Sequence, residues 1–223
     1  GKPKYVRSIL ENLIDIKEDG SFRLDQSYFD YCTGLQMTNR KFNDSFEGPP
    51  RNAGELITER EMDLACSIQV VTEEIMLRLT RSLAKETEIK NLCLAGGVAL
   101  NCVANGHIWR SSLFDNMWIQ PAAGDAGGAL GAALYVNHMG FDVPREKAVR
   151  DGQSATYLGP EYSDEEIQSV IDNEGIIAEK YDSFSDRNRI VAQAINNGQV
   201  VGYFSGRMEF GPRALGSRSS LGG

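Results

Sequence analysis

Two stretches of this chain repeat one pattern: a short apolar run, a glycine turn, then a helix. No other feature constrains the fold as much. Asn91–Ala95 passes through Gly96-Gly97 into a helix expected from about Ala99 to Arg110. Met117-Trp118-Ile119 passes through Gly124-Asp125-Ala126-Gly127-Gly128 into a helix expected from Ala129 to about His138. Strand, glycine turn and helix in succession are the signature of an α/β protein.

The remaining segments fall in around this pattern. Val6, Ile9, Leu10 and Leu13 recur at helical spacing, which predicts a helix over Tyr5–Ile14. Asp19-Gly20 is a hairpin turn between short apolar runs. Residues 25–54 mix Tyr28, Phe29, Tyr31, Phe42 and Phe46 with turn formers and end in Gly48-Pro49-Pro50, an irregular connection anchored by its rings. From Thr58 to Lys85, Leu64, Ile68, Val71, Ile75 and Leu79 line one face of a long helix that Thr58 and Glu61 open as a capping box. Residues 141–163 carry prolines and charges without periodicity, so a domain boundary is expected there, dividing the chain into 1–148 and 149–223. Beyond it the pattern predicts a helix from Ser163 through Ile171, a strand near Gly175–Ala178, a helix over Asp186–Asn196 and a strand over Val200–Phe204.

Charge and composition narrow the partners. A net charge of −8 argues against a broad nucleic-acid surface, although a few local arginines still suit a small anion. No apolar stretch approaches the roughly 18 residues of a membrane span, so no membrane partner is expected. Cys32, Cys66, Cys93 and Cys102 form no C-x-x-C pair and fit reduced, mostly buried thiols in a cytoplasmic protein. His107 and His138 stand 31 residues apart, without metal-ligand spacing, and read as helix-surface or boundary residues. The chain opens at Gly1 and closes on Leu221-Gly222-Gly223, so it is expected to be an internal piece of a longer protein.

Three constellations carry chemistry. In Leu94-Ala95-Gly96-Gly97-Val98-Ala99-Leu100-Asn101, paired glycines let backbone approach a ligand and a helix N-terminus follows. Asn101, one turn into that helix, suits a ribose or base edge; a plain strand-to-helix connection fits equally. In Gly124-Asp125-Ala126-Gly127-Gly128 a single carboxylate heads a Gly/Ala helix, either as a cap or as a ligand of a divalent metal that bridges ATP phosphates. Small residues at 127, 128, 131 and 132 allow close packing or close approach of a nucleotide. In Gly206–Ser219, Arg207, Arg213 and Arg218 alternate with glycines whose backbone N–H groups are accessible. That suits phosphate recognition, and a salt-bridged surface loop fits as well.

Taken in order, these segments resemble the nodulation-protein-U type O-carbamoyltransferases. The resemblance rests on Phe29-Asp30-Tyr31-Cys32-Thr33-Gly34, Gly48-Pro49-Pro50-Arg51, Ala95–Asn101, Gly124–Gly127 and Glu209-Phe210-Gly211-Pro212-Arg213-Ala214-Leu215-Gly216, and it covers essentially the whole chain. It implies the C-terminal lobe of an actin/Hsp70-like ATPase fold, followed by the start of a YrdC-like α/β domain. It also implies ATP and a divalent metal, iron or magnesium, as cofactors. Carbamoyl phosphate would be converted to a carbamoyl-adenylate, and a small hydroxyl-bearing acceptor would take the carbamoyl group. On this resemblance Gly96, Gly97, Asn101 and Gly124 bind ATP, and Asp125 is a metal ligand. Arg207, Arg213 and Arg218 hold carbamoyl phosphate or adenylate phosphate, and no catalytic residue is assigned. The family's His-x-x-x-His metal pair is absent from this chain, so the remainder of the parent chain is an expected partner and the piece alone is expected to be inactive. A kinase-type lobe of the same superfamily and a non-catalytic nucleotide-binding module are the competing expectations.

Overall fold

The computed structural model describes residues 1–146, 152–181 and 183–223, so the expected boundary between 148 and 149 lies outside the described residues. The architecture is mixed α/β, with small two-stranded sheets among helices. Two units are formed, one from Gly1–Leu94 with Asn101–Trp118, the other from Ala95–Leu100 with Ile119–Gly223.

In the first unit, the N-terminal spacing yields a helical turn, α1 (Val6–Ser8), that widens over Ile9–Leu13. It ends where Ile14 turns extended and starts β1 (Ile14–Ile16), which pairs antiparallel with β2 (Phe22–Leu24). Gly20, in the expected hairpin turn, has φ +86 and lies so close to the long helix that a Cβ there would be 2.4 Å from the Leu79 backbone nitrogen. The stretch expected to be irregular contains a short helix, α2 (Arg40–Ser45), capped by the Asn39 side chain. The long helix α3 (Glu59–Thr87) opens with the expected box: the Thr58 N–H donates to Glu61 Oε2 at 2.9 Å.

Tyr5, Ile9, Leu13, Ile14, Tyr28, Phe46 and Val71 form the main core. Phe46 is fully buried, with its ring 4.5 Å from Phe42 and 5.8 Å from Tyr5. The ring anchoring expected of residues 25–54 is therefore the work of Tyr28, Phe29, Phe42 and Phe46, whereas Tyr31 is exposed. The cysteines, expected to be mostly buried, are not: Cys32, Cys93 and Cys102 are exposed and Cys66 is half-buried. A second cluster gathers Leu92, Ile108 and Phe114. It joins β3 (Asn91–Leu94) and α4 (Cys102–Arg110) to α3, and β3 pairs with β4 (Asn116–Ile119).

The second unit is packed differently. Helix α5 (Asp125–Tyr135) starts at Asp125 rather than Ala129. The expected box of Ser163 and Glu166 opens α6 (Asp164–Glu174), and α7 (Phe184–Asn196) follows. Strand β5 (Val201–Phe204) pairs antiparallel with β6 (Arg218–Leu221), with Phe204 opposite Arg218, so the arginine-rich segment is a loop closed by two paired strands. The strand expected at Gly175–Ala178 does not form. Gly175 ends α6 in the left-handed region, Ile177 is fully exposed, and no described strand lies beside it to supply ladder partners. Among the described residues, those buried in this unit are small or polar: Ala99, Ala122, Ala123, Thr156, Glu209 and Ser217.

Candidate nucleotide and anion site

Within the second unit, three glycine-bearing segments meet at the short turn 121–124 that leads into α5. The Ala123 carbonyl accepts a hydrogen bond from Gly96 N at 2.8 Å. Gly211, from the arginine-rich loop, stands against Ala122, where a Cβ would lie 3.5 Å from the alanine methyl. Gly127, in the first turn of α5, is tighter still: a Cβ would meet the Ala122 carbonyl oxygen at 2.0 Å. Ala122 and Ala123 are buried. The Gly-Gly turn, the head of α5 and the arginine loop thus share one hub of small residues. At Gly127 only a residue without a Cβ lets the two backbones come this close.

Around the hub the glycines named for ATP have free space beside them. No atom lies within 4 Å of where a Cβ would stand on Gly96, Gly97 or Gly124, and Gly96 has φ +95. Asp125 is the first residue of α5, behind an N-cap at Gly124 that makes no side-chain cap bond. Its exposed carboxylate has no hydrogen-bond or ion-pair partner among the described residues, so the capping bond that one reading gave it is not made. A carboxylate at a helix N-terminus, unpartnered and exposed, can take a cation. No cluster of three or more His, Cys, Asp or Glu side chains suited to a metal occurs among the described residues.

Asn101 belongs to the first unit. Residues Gly97–Leu100 form a tighter turn, so α4 begins only at Cys102 and Asn101 is its N-cap, accepting from Ala104 N at 3.1 Å. Its Nδ2 donates to Gln69 Oε1 at 2.9 Å, and its Oδ1 accepts from Gln69 Nε2 at 3.1 Å. Gln69 Nε2 also donates to Glu73 Oε1 at 2.7 Å, and Glu73 Oε2 lies 3.4 Å from His107 Nε2. The amide named for a ribose or base edge is therefore engaged in tying α4 to α3.

The three arginines occupy three different situations. Arg207 donates from Nη1 to the Gly159 carbonyl at 2.9 Å and from Nη2 to Glu161 Oε2 at 3.1 Å. Arg218 donates from Nη2 to the Gly211 carbonyl and faces Glu209 Oε2 with its Nε at 3.4 Å. Arg213 is exposed and pairs with none of the described residues. The segment after the undescribed stretch straps this loop in place. Thr156 O accepts from Phe210 N at 2.6 Å, Tyr157 donates from its hydroxyl to Leu215 O at 3.0 Å, and Gly159 and Pro160 exchange backbone bonds with Met208 at 2.9 Å. Ser154, Ala155 and Thr156 run at φ +49, +51 and +74, a left-handed stretch of residues that all carry a Cβ, at the foot of the loop.

Glu209 is the residue the sequence reading passed over. Its side chain is buried, and Oε1 accepts from Leu215 N at 2.6 Å and from Ser217 N at 2.8 Å. Burial pushes its carboxyl up, but the backbone N–H groups of Ser217, of Glu209 itself, of Leu215 and of Arg218 outweigh that and hold it below the ordinary value of 4.5. The signal was a single carboxylate among three arginines, read only through the arginines.

A family model described as the carbamoyltransferase N-terminus matches residues 1–134, and one described as the carbamoyltransferase C-terminus matches residues 192–223. An uncharacterised protein of Synechocystis, sll1178, is 54% identical over all of this chain and 36% of its own length. The nodulation protein NolNO of Sinorhizobium fredii is 36% identical over 99% of this chain and 30% of its own length. The nodulation protein NolO of Bradyrhizobium diazoefficiens is 34% identical over 99% of this chain and 38% of its own length. The chain therefore spans about a third of the length of the curated relatives it matches. No helix among the described residues is long and apolar enough to cross a membrane.

Proposed function

The chain belongs to the carbamoyltransferase family, and from that premise we propose that it supplies part of an ATP-dependent transfer of a carbamoyl group from carbamoyl phosphate to an acceptor hydroxyl. The observation that carries this reading is the hub at Ala122-Ala123, where the Gly96 turn, the head of α5 and the arginine loop come together within one unit. A reaction that joins a nucleotide to a phosphate-borne carbamoyl group needs two anions held close to each other, and this hub puts a glycine turn beside an arginine loop.

In this reading Gly96, Gly97 and Gly124 leave room for ATP backbone contacts, and Asn101 acts by holding α4 to α3 through Gln69. Asp125 would supply one oxygen ligand to a divalent cation, magnesium or iron. Such a cation would neutralise phosphate charge. Arg213 takes the phosphate of carbamoyl phosphate or of the adenylate. Arg207 and Arg218 fix the loop that carries it. To form the adenylate, carbamoyl phosphate releases inorganic phosphate, and a carbamate oxygen bonds to the α-phosphorus of ATP as pyrophosphate leaves. In the transfer step the acceptor oxygen bonds to the carbamoyl carbon, the bond from that carbon to the adenylate oxygen breaks, AMP leaves, and the hydroxyl proton passes to a base. The fold assignment to an ATPase-like lobe with the start of a YrdC-like domain belongs to the same proposal, as does a requirement for the remainder of a longer chain for turnover.

Calorimetry of the 223-residue chain with Mg-ATP tests the cation role. Asp125→Ala should weaken binding by about tenfold or more, the typical loss on deleting one polar partner of a charged ligand. The melting temperature should stay unchanged, because the carboxylate makes no capping bond. Full-strength Mg-ATP binding by that variant would remove Asp125 from the site.

A further inference from the structure

Glu209 is the lone acidic residue of the segment Gly206–Arg218 and is only 3% exposed. Its two oxygens work on opposite ends of one loop. Oε1 holds the amides of Leu215 and Ser217 at 2.6 and 2.8 Å. Oε2 faces Arg218 Nε at 3.4 Å, and Arg218 in turn donates to the carbonyl of Gly211. The stretch from Gly211 to Gly216 is thereby clasped at its start and its end, with Arg213 between. Gly211 has φ +121 and rests against Ala122, so the start of the loop also has a fixed seat.

Two consequences follow for anion recognition. The backbone amides of Leu215 and Ser217 are not free to receive a phosphate, because an internal carboxylate already fills that place. Arg218 is largely neutralised by the same carboxylate. Of the three guanidiniums, only Arg213 remains uncommitted. Without the Glu209 charge, two amides and a partly buried guanidinium would compete for water or for a substrate anion, and the loop would lose both its ties.

We propose that Glu209 is a positioning residue for the anion site: by clasping both ends of the loop it sets the Arg213 guanidinium to receive the phosphate of the substrate. The proposal rests on reading this loop as the carbamoyl phosphate site. Glu209 touches no substrate; it acts through Arg213, where a bidentate donor must be held in one orientation to be useful.

The test is calorimetry of the 223-residue chain with carbamoyl phosphate, and with inorganic phosphate as a second probe. Arg213→Ala should abolish binding of both without lowering the melting temperature. If that variant binds like the unmodified chain, the anion-site reading fails and the proposal falls with it. Glu209→Gln, nearly the same shape, should weaken binding about tenfold, within the range of couplings between residues of one network. The distinguishing measurement repeats Glu209→Gln in an R213K background. A lysine makes no bidentate contact for the clasp to orient, so the further loss should be under about twofold. An equal loss in both backgrounds would mean a merely structural role, and unchanged affinity in Glu209→Gln would also overturn the proposal while leaving the anion site intact. If Glu209→Gln does not fold, Arg218→Gln removes the tie to Gly211 together with the ion pair to Glu209 and leaves the Leu215 and Ser217 amide bonds in place. It should show the same tenfold loss and the same disappearance in the R213K background, and unaltered affinity there would refute the clasp.

Discussion

Two adjacent glycines in α5 should respond in opposite directions to the same substitution. At Gly127 a Cβ would stand 2.0 Å from the Ala122 carbonyl oxygen and 3.1 Å from its carbonyl carbon. Carbon and carbonyl oxygen meet comfortably at about 3.3 Å, so the turn must open by roughly 1.3 Å to admit a methyl. The obstacle is backbone, which cannot rotate aside as a side chain would. Overpacking of this kind costs about 1–3 kcal/mol, against a gain of about 0.5–1 kcal/mol from replacing glycine by alanine in a helix. The net expectation for Gly127→Ala is a loss of about 1–2 kcal/mol. At Gly128 nothing lies within 4 Å of the added atom, so Gly128→Ala keeps only the gain. The two variants should then differ by about 2–3 kcal/mol, or about 5–10 °C in melting temperature for a chain of this size. Thermal unfolding followed by circular dichroism measures this directly. The opening at Gly127 also displaces the residue two before it, so Mg-ATP affinity should fall in Gly127→Ala and hold in Gly128→Ala. Equal melting temperatures, or the reverse ranking, would show that the 122–127 turn is not closed by backbone contact.

Two further outcomes are expected. Asn101→Ala removes an N-cap and the amide pair with Gln69 and should lower the stability of the first unit by about 1–2 kcal/mol, measured by urea unfolding. A drop in Mg-ATP affinity with unchanged stability would instead return Asn101 to direct nucleotide contact. The Glu209 carboxyl is held below its ordinary value when folded, so its contribution to stability is complete above the ordinary glutamate value of 4.5. That contribution drains away as pH falls from there through the lowered folded value. Melting temperatures taken from neutral to acid pH should show this loss, and Glu209→Gln should flatten it; an unchanged acid limb in the variant would contradict the clasp.

What the sequence made legible was the part written in local terms. The boxes Thr58 with Glu61 and Ser163 with Glu166 satisfy helix ends from within four residues, so they are visible without a fold. Helix α3 shows equally well because its apolar stripe recurs over many turns. A strand depends on a partner elsewhere. Gly175–Ala178 has strand composition but no strand beside it among the described residues, while Arg218–Leu221 lacks an alternating pattern and still becomes β6 because Val201–Phe204 lies beside it. The short helix α2 had a local signal in Asn39, but the density of aromatics and turn formers around it masked the cap. At the site, the three arginines are equivalent as letters. Their differences arise from Glu161, Gly159, Gly211 and Glu209, brought in by chain return rather than by spacing.

The two units also differ in what their folding depends on, and the candidate site sits in the one whose described interior is less apolar. The first unit buries tyrosine, phenylalanine and branched aliphatic side chains. The second buries alanines, a threonine, a serine and a glutamate, and its loops are joined by backbone hydrogen bonds and ion pairs. Close backbone approach gives room for a phosphate-bearing ligand, and it removes the slack that side-chain packing provides. At Ala122-Ala123 the Gly96 turn, Gly127 and Gly211 all bear on one stretch of backbone. A bulkier residue at Ala122 must therefore disturb the head of α5 and the arginine loop together. Loss of nucleotide affinity and loss of phosphate affinity should then appear in the same variant, although Asp125 and Arg213 themselves are untouched.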